Sequence, residues 1–213
     1  SETPYNSLLV YHEVGTGKTC MAVQVAEMYL AETGGEKKAL VIAPNAVQPG
    51  FKREIFDTRK LYSDNPTDQC TGDIYFNFMG GNVAGSLERK FERMVRSRYD
   101  MYGYGMFETY FEREVLIPAE QTYPDDTNIE GKSQIIMDRI SEVFGDRLII
   151  IDEVHNTRDG QNKKKILQYL RLIARFSYNT RLLLMSGTPM FNKTDEIIDL
   201  LNILRINEGL PAI

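Results

Sequence analysis

The sequence predicts an α/β fold: a mostly parallel central sheet with helices on both faces. Three observations predict it. Short aliphatic runs recur at Leu8-Leu9-Val10-Tyr11, Ala39-Leu40-Val41-Ile42-Ala43, Leu148-Ile149-Ile150-Ile151 and Leu182-Leu183-Leu184-Met185, the pattern of strands buried on both faces. Amphipathic helix patterns separate them, as parallel strands require. Two of the runs end in residues that carry chemistry, a glycine loop after the first and a pair of carboxylates after the third.

The first run leads into Gly15-Thr16-Gly17-Lys18-Thr19, and a helix follows with Met21, Ala22, Val25, Met28 and Tyr29 on one face. Strand, glycine loop and helix form the context of a phosphate-binding loop. Gly15 and Gly17 let backbone N–H groups turn inward, and the helix start adds its own free amides and dipole. Lys18 is expected to reach the β- and γ-phosphates of a nucleotide and the Thr19 hydroxyl to ligate Mg²⁺; Cys20 continues the same loop. The longer form of the motif wants glycine at position 12, where this chain has His12. The remaining core, taken alone, also fits a glycine turn ahead of a surface helix.

After the turn Glu32–Glu36 and the second strand comes Pro44-Asn45, then a helix with Val47, Phe51, Ile55 and Phe56 inward and Lys52 beside them. Periodicity then fades, and about 57–130 reads as an inserted or irregular region. Within it, Asp73–Phe78 is a strand candidate. Ser86 reads as the cap of a helix with Leu87, Phe91, Met94 and Val95 inward. Its other face carries Arg89, Lys90, Arg93 and Arg96, with Arg98 just beyond, and reads as a solvated face paired with Glu88 and Glu92. A nucleic-acid contact is the alternative there. The aromatic stretch Tyr99–Phe111 reads as core, with base stacking as the alternative. Glu108–Glu130, acidic and holding Pro118 and Pro124, reads as a surface loop or lid.

A helix is expected from about Ser133 to Phe144. The third strand ends at Asp152-Glu153-Val154-His155, which delivers both acids to the carboxyl edge of the sheet, where ligands of open α/β sheets bind. Asp152 suits a role through the Mg²⁺ shell, and Glu153 suits a general base for an attacking water. Together with the glycine loop this pair makes the site one for ATP with Mg²⁺. A helix with Ile166, Leu170, Ile173 and Ala174 inward precedes the last strand, which ends in Ser186-Gly187-Thr188-Pro189. A final helix, capped by Thr194, buries Ile197, Leu200, Leu201 and Leu204.

With 213 residues, 42% of them hydrophobic, the chain suits one large α/β domain. The net charge of −5 excludes a global basic field, so any nucleic-acid contact must be local. Cys20 and Cys70 give no disulfide framework, and Cys20 reads as helix packing. No run approaches the roughly 18 apolar residues of a membrane span, and no leader pattern opens the chain, so a soluble protein is expected. Both ends read as cuts through a longer chain.

The set Gly15–Thr19, Ala43-Pro44-Asn45, Asp152–His155 and Ser186–Pro189 resembles motifs I, Ia, II and III of superfamily 2 helicases and translocases, in order over residues 8–205. Pro4-Tyr5 and the Ser186–Asn202 stretch look closest to the helicase-like ATPases of large DNA viruses. That group includes the poxvirus nucleoside triphosphate phosphohydrolase and the small subunit of its early transcription factor. The resemblance implies a single RecA-like first lobe over 1–213, with a second lobe and its arginine finger outside the chain. It also implies that His155, Ser186 and Thr188 couple hydrolysis to nucleic acid. Asn45 and Lys52 are implied to touch a DNA or RNA backbone without sequence specificity. Implied surroundings are viral transcription with a viral RNA polymerase, in the host cytoplasm or the virion. Alternatives are a transcription-factor subunit with ATPase but no unwinding activity, and a phosphate-loop enzyme for small molecules.

Overall fold

The structure, a computed structural model, describes residues 5–11, 15–65, 67–75, 84–124, 128–154, 161–187 and 195–213. Its centre is a five-stranded, all-parallel sheet in the order β1-β5-β4-β2-β3. The strands are β1 (Ser7–Tyr11), β2 (Ala39–Ile42), β3 (Tyr99–Tyr102), β4 (Leu148–Ile151) and β5 (Arg181–Ser186). The helices are α1 (Lys18–Glu32), α2 (Gln48–Ile55), α3 (Ala84–Arg98), α4 (Tyr104–Phe111), α5 (Ile117–Thr122), α6 (Ile129–Phe144), α7 (Gln161–Phe176) and α8 (Asp195–Asn207).

Strand side chains alternate between two cores, as the two-residue period demands. Val41, Leu148, Ile150, Leu183 and Met185 meet Ala22, Val23, Phe51 and Ile55 of α1 and α2 on one face. Leu40, Ile42, Ile149, Ile151, Leu182 and Leu184 meet Phe107, Ile140, Ile173 and Leu200 of α4, α6, α7 and α8 on the other. Because all five strands run the same way, every strand-to-loop exit lies along one edge.

The structure departs from several expectations. Residues 71–75 form turns, not a strand: Gly72 takes φ +58, Ile74 is exposed, and the Tyr75 hydroxyl is drawn to Glu27. The extra strand is Tyr99–Tyr102, paired at the sheet's edge to β2 from Ala39↔Tyr99 to Ile42↔Tyr102. The expected loop or lid after Glu108 is helical through Thr122, with a π-helical turn at Glu112–Leu116. Phe107, Phe111, Val115 and Ala119, spaced by four, are all fully buried and hold it down. Pro118 is tolerated in the first turn of α5. Helix α3 starts before Ser86, so Ser86 is not its cap. Arg89, Lys90, Arg93 and Arg96 do form a solvated face, and Arg96 pairs with Glu92 at 3.8 Å. The aromatic stretch is core: Phe111 stacks on Tyr169 with ring centroids 4.1 Å apart. Asn128 caps α6, four residues earlier than expected, by accepting from the Gly131 amide at 2.9 Å. Thr194 lies outside the described residues.

Three links among the described residues fasten the segment 67–75 onto α1, one of them a bond from Gln24 Nε2 to the Cys70 carbonyl at 3.2 Å. Cys20 and Cys70 are joined by a disulfide, which corrects the expectation of simple helix packing. Sequence spacing carries no sign of it, since 50 positions separate the two. Glu27, only 4% exposed, accepts from the Tyr75 and Tyr99 hydroxyls and from Arg98 Nη2 at 2.6 Å. Arg98 is thus drawn inward, away from the solvated face of α3. No described helix is long and apolar enough to cross a membrane.

Candidate nucleotide site

The glycine loop lies where β1 passes into α1. Gly15 and Gly17 adopt φ +86 and +85, and a Cβ at either would meet nothing within 4 Å. Glycine is therefore required there by backbone conformation and not by space. Gly17 is the N-cap of α1 and offers no side-chain cap; the first turn holds no acidic residue. The first in-register helical bond runs from the Met21 amide to the Gly17 carbonyl at 3.0 Å. The amides of Lys18, Thr19 and Cys20 precede it, in the first turn whose N–H groups let helix starts bind anions. The Cys20 side chain is committed to Cys70, so only its main chain can serve the loop.

Strand order brings the carboxylates beside this loop. β5 lies between β1 and β4, with Tyr11 level with Ser186 and Leu184 level with Ile151. Asp152 and Glu153 therefore emerge beside Ser186 and the loop after β1. Asp152 is 3% exposed and Lys18 7%. Burial, and after it the Glu153 charge, push the Asp152 carboxyl up to about 6, while the Lys18 ammonium acts in the opposite sense. Lys18 and Asp152 thus share one electrostatic neighbourhood.

Glu153 adopts φ +54, a left-handed conformation unusual for a residue with a side chain. Its Oε2 accepts from the Gly187 amide at 3.4 Å, and Ser186, fully buried, closes β5 beside it. From below, the Tyr104 hydroxyl donates to the carbonyls of Asp152 at 2.5 Å and Glu153 at 2.9 Å. Sequence reasoning missed Tyr104, because a tyrosine in an aromatic stretch reads as core; nothing in its spacing marks the contact. His155 and Thr188 lie outside the described residues.

The side chains offered are hard oxygen donors: the buried Asp152 carboxylate and the Thr19 hydroxyl suit Mg²⁺ better than a soft metal. Among the described residues Cys20, Glu54 and Cys70 also approach one another, but the two sulfurs are bonded.

Asn45 and Lys52 lie elsewhere on the same edge, beyond β2. They line a groove of about 820 Å³ between α2 and α3, together with Gln48, Arg53, Phe56 and Phe91. Asn45 accepts from Gln48 Nε2 at 3.3 Å, and its side chain lies against Gly103. Lys52 pairs with Glu92 at 3.0 Å. Gln48 and Arg53 were not foreseen, although Gln48 stands one helical turn before Lys52 on α2.

A parallel sheet with a glycine loop and a carboxylate pair at strand exits one strand apart defines a class, and the sequence falls within it. Residues 88–208 match the model of the SNF2-related domain, and the chain belongs to that family. It is 25% identical over 215 residues, 99% of its length, to a protein named as an ATP-dependent RNA helicase of Acanthamoeba polyphaga mimivirus. A protein of Invertebrate iridescent virus 3 named as a helicase is 25% identical over 95% of the chain. An early transcription factor large subunit homolog of African swine fever virus is 23% identical over 98%. The chain spans 31%, 18% and 22% of these relatives' lengths. The expected resemblance to helicase-like proteins of large DNA viruses is borne out, although the transcription-factor relative is a large-subunit homolog.

Proposed function

We propose that this chain is the ATP-binding lobe of a nucleic-acid-dependent ATPase of the helicase and translocase type, acting in viral transcription. One observation carries the reading: β4, which ends at the buried Asp152, is separated by β5 alone from β1, the strand that leads to the glycine loop and Lys18. A phosphate-binding loop beside an acid pair is the minimal apparatus for cleaving a triphosphate.

In this reading the loop amides and the Lys18 ammonium hold the β- and γ-phosphates. Thr19 and Asp152 would hold Mg²⁺, which would supply neutralisation of the phosphate charge. Glu153 Oε2 takes the proton from the attacking water. Gly187, the residue after Ser186, bonds to Glu153, which supports the coupling role assigned to Ser186; the same role for His155 and Thr188 rests on the motif resemblance alone. The groove holding Asn45 and Lys52 is the site for a DNA or RNA backbone, without sequence specificity. A second RecA-like lobe is the partner that supplies an arginine finger, worth about 10³–10⁵ in rate. The chain by itself therefore hydrolyses ATP poorly. A viral RNA polymerase is a further partner, in the infected cell's cytoplasm or in the virion.

The test is Mg²⁺-dependent ATP hydrolysis by the full-length protein with and without DNA and RNA. Stimulation by either supports the reading; hydrolysis indifferent to both leaves only a phosphate-loop enzyme. A second reading, a transcription-factor subunit that hydrolyses ATP without unwinding, draws on the African swine fever virus relative's name. Duplex unwinding or movement along a duplex during hydrolysis would exclude it.

A further inference from the structure

Glu153 stands in a backbone conformation it would not choose. A non-glycine residue at φ +54 carries about 1 kcal/mol or more of local strain, and it stays there only where its surroundings insist. Two contacts do so. The Gly187 amide reaches its carboxylate at 3.4 Å, a long bond. The Tyr104 hydroxyl reaches the turn's own backbone at 2.5 and 2.9 Å, sharing one proton between the carbonyls of Asp152 and Glu153.

Tyr104 is well placed for this. It opens α4 one residue after β3, so a strand and a helix fix its Cα, and only two side-chain torsions remain. Its ring packs against the core that holds Ile42 and Ile151. A phenol is protonated at neutral pH, so its hydroxyl has a proton to donate.

We propose that Tyr104 is a positioning residue for hydrolysis, holding the Asp152–Glu153 turn so that the Glu153 carboxylate faces the water it must deprotonate. The inference rests on the reading of the site given above and deepens it. Without the hydroxyl, the turn is free to relax toward negative φ, which swings the Cα–Cβ bond of Glu153 away from its post. Nucleotide contacts made by the glycine loop are untouched. A shift of about 1 Å in a reacting group can cost about 100-fold in rate.

The experiment is Tyr104→Phe in the full-length protein, which keeps the ring and removes only the hydroxyl. The expected result is a kcat for ATP lowered about 10- to 100-fold with KM within about twofold of wild type. Combined with Glu153→Gln, it should slow hydrolysis no further than Glu153→Gln does alone, because it acts through that carboxylate. Tyr169→Phe, which removes a phenol bonded to Glu112 away from the site, should leave both constants unchanged. Wild-type kcat in Tyr104→Phe overturns the proposal. So does a parallel rise in KM, a further fall in the double variant, or loss of the folded state, each of which makes Tyr104 structural only. Absence of ATP hydrolysis by the wild-type protein would instead remove the reading of the site itself.

Discussion

The Glu153 carboxylate, two residues past the sheet's central strand, accepts from the Gly187 amide of the neighbouring strand's exit at 3.4 Å. That contact puts the expected base beside the segment assigned to coupling. Glu153→Gln preserves shape and a hydrogen-bond acceptor but cannot take a proton at neutral pH. It should retain nucleotide binding and lower single-turnover hydrolysis about 10²–10⁴-fold. Unaltered turnover would remove Glu153 as the base. Lys18→Ala, by contrast, should weaken nucleotide binding itself, measured by equilibrium titration.

Asp152 yields a prediction about stability. Its folded carboxyl is raised to about 6 from an ordinary 3.8, so ionising it costs more in the fold than in the unfolded chain. The contribution to stability is therefore greatest below pH 3.8 and is lost as pH rises toward about 6. Without nucleotide or metal, Asp152→Asn should be more stable than wild type above pH 6.5, by up to about 3 kcal/mol. The gain should vanish near pH 4. Denaturant unfolding at the two pH values reads this, and equal stability at pH 7.5 would contradict it.

The Cys20–Cys70 bond should contribute up to about 4 kcal/mol by restricting the unfolded chain across a loop of this length. Cys20→Ser and treatment with dithiothreitol should lower the unfolding midpoint by the same amount. A reductant effect that persists in the serine variant would point elsewhere.

Glu27 is the shared acceptor of Arg98, Tyr75 and Tyr99. Glu27→Ala would leave a part-buried guanidinium without its carboxylate and should cost about 3–5 kcal/mol, read by thermal unfolding. A loss below about 1 kcal/mol would mean that water reaches the pocket freely.

Gly103 separates β3 from α4 with Asn45 lying across it. A Cβ there would stand 2.2 Å from Asn45 Oδ1, so Gly103→Ala must push the Asn45 side chain out of the groove. Asn45 is exposed, so stability should fall by less than about 1 kcal/mol. Stimulation of ATPase activity by nucleic acid should drop while the unstimulated rate holds. A variant that responds to nucleic acid like wild type would leave Asn45 without that role.

The inner strands were legible because parallel strands buried on both faces must be continuous aliphatic runs, and β2, β4 and β5 are; β1, which leads to the glycine loop, instead lies at the sheet's edge with Leu8 and Tyr11 exposed. The glycine loop and Asp152-Glu153 were legible for a different reason: phosphate and metal chemistry accept few residue types at few spacings. Tyr99-Asp100-Met101-Tyr102 was not, because an edge strand tolerates the mixed polarity that elsewhere signals a loop. The helical run to Thr122 hid behind its acidic surface, although its buried residues repeat every fourth position. The disulfide, the Glu27 cluster and the Tyr104 contact all join residues 48 or more positions apart, and only the folded chain brings such groups together.

The bond between Cys20 and Cys70 also closes a covalent ring around the rest of α1, β2 and α2. A protease that nicks the backbone once inside that ring cannot release either piece. The severed halves stay tethered until a thiol cuts the second connection, so the break shows only on a reducing gel.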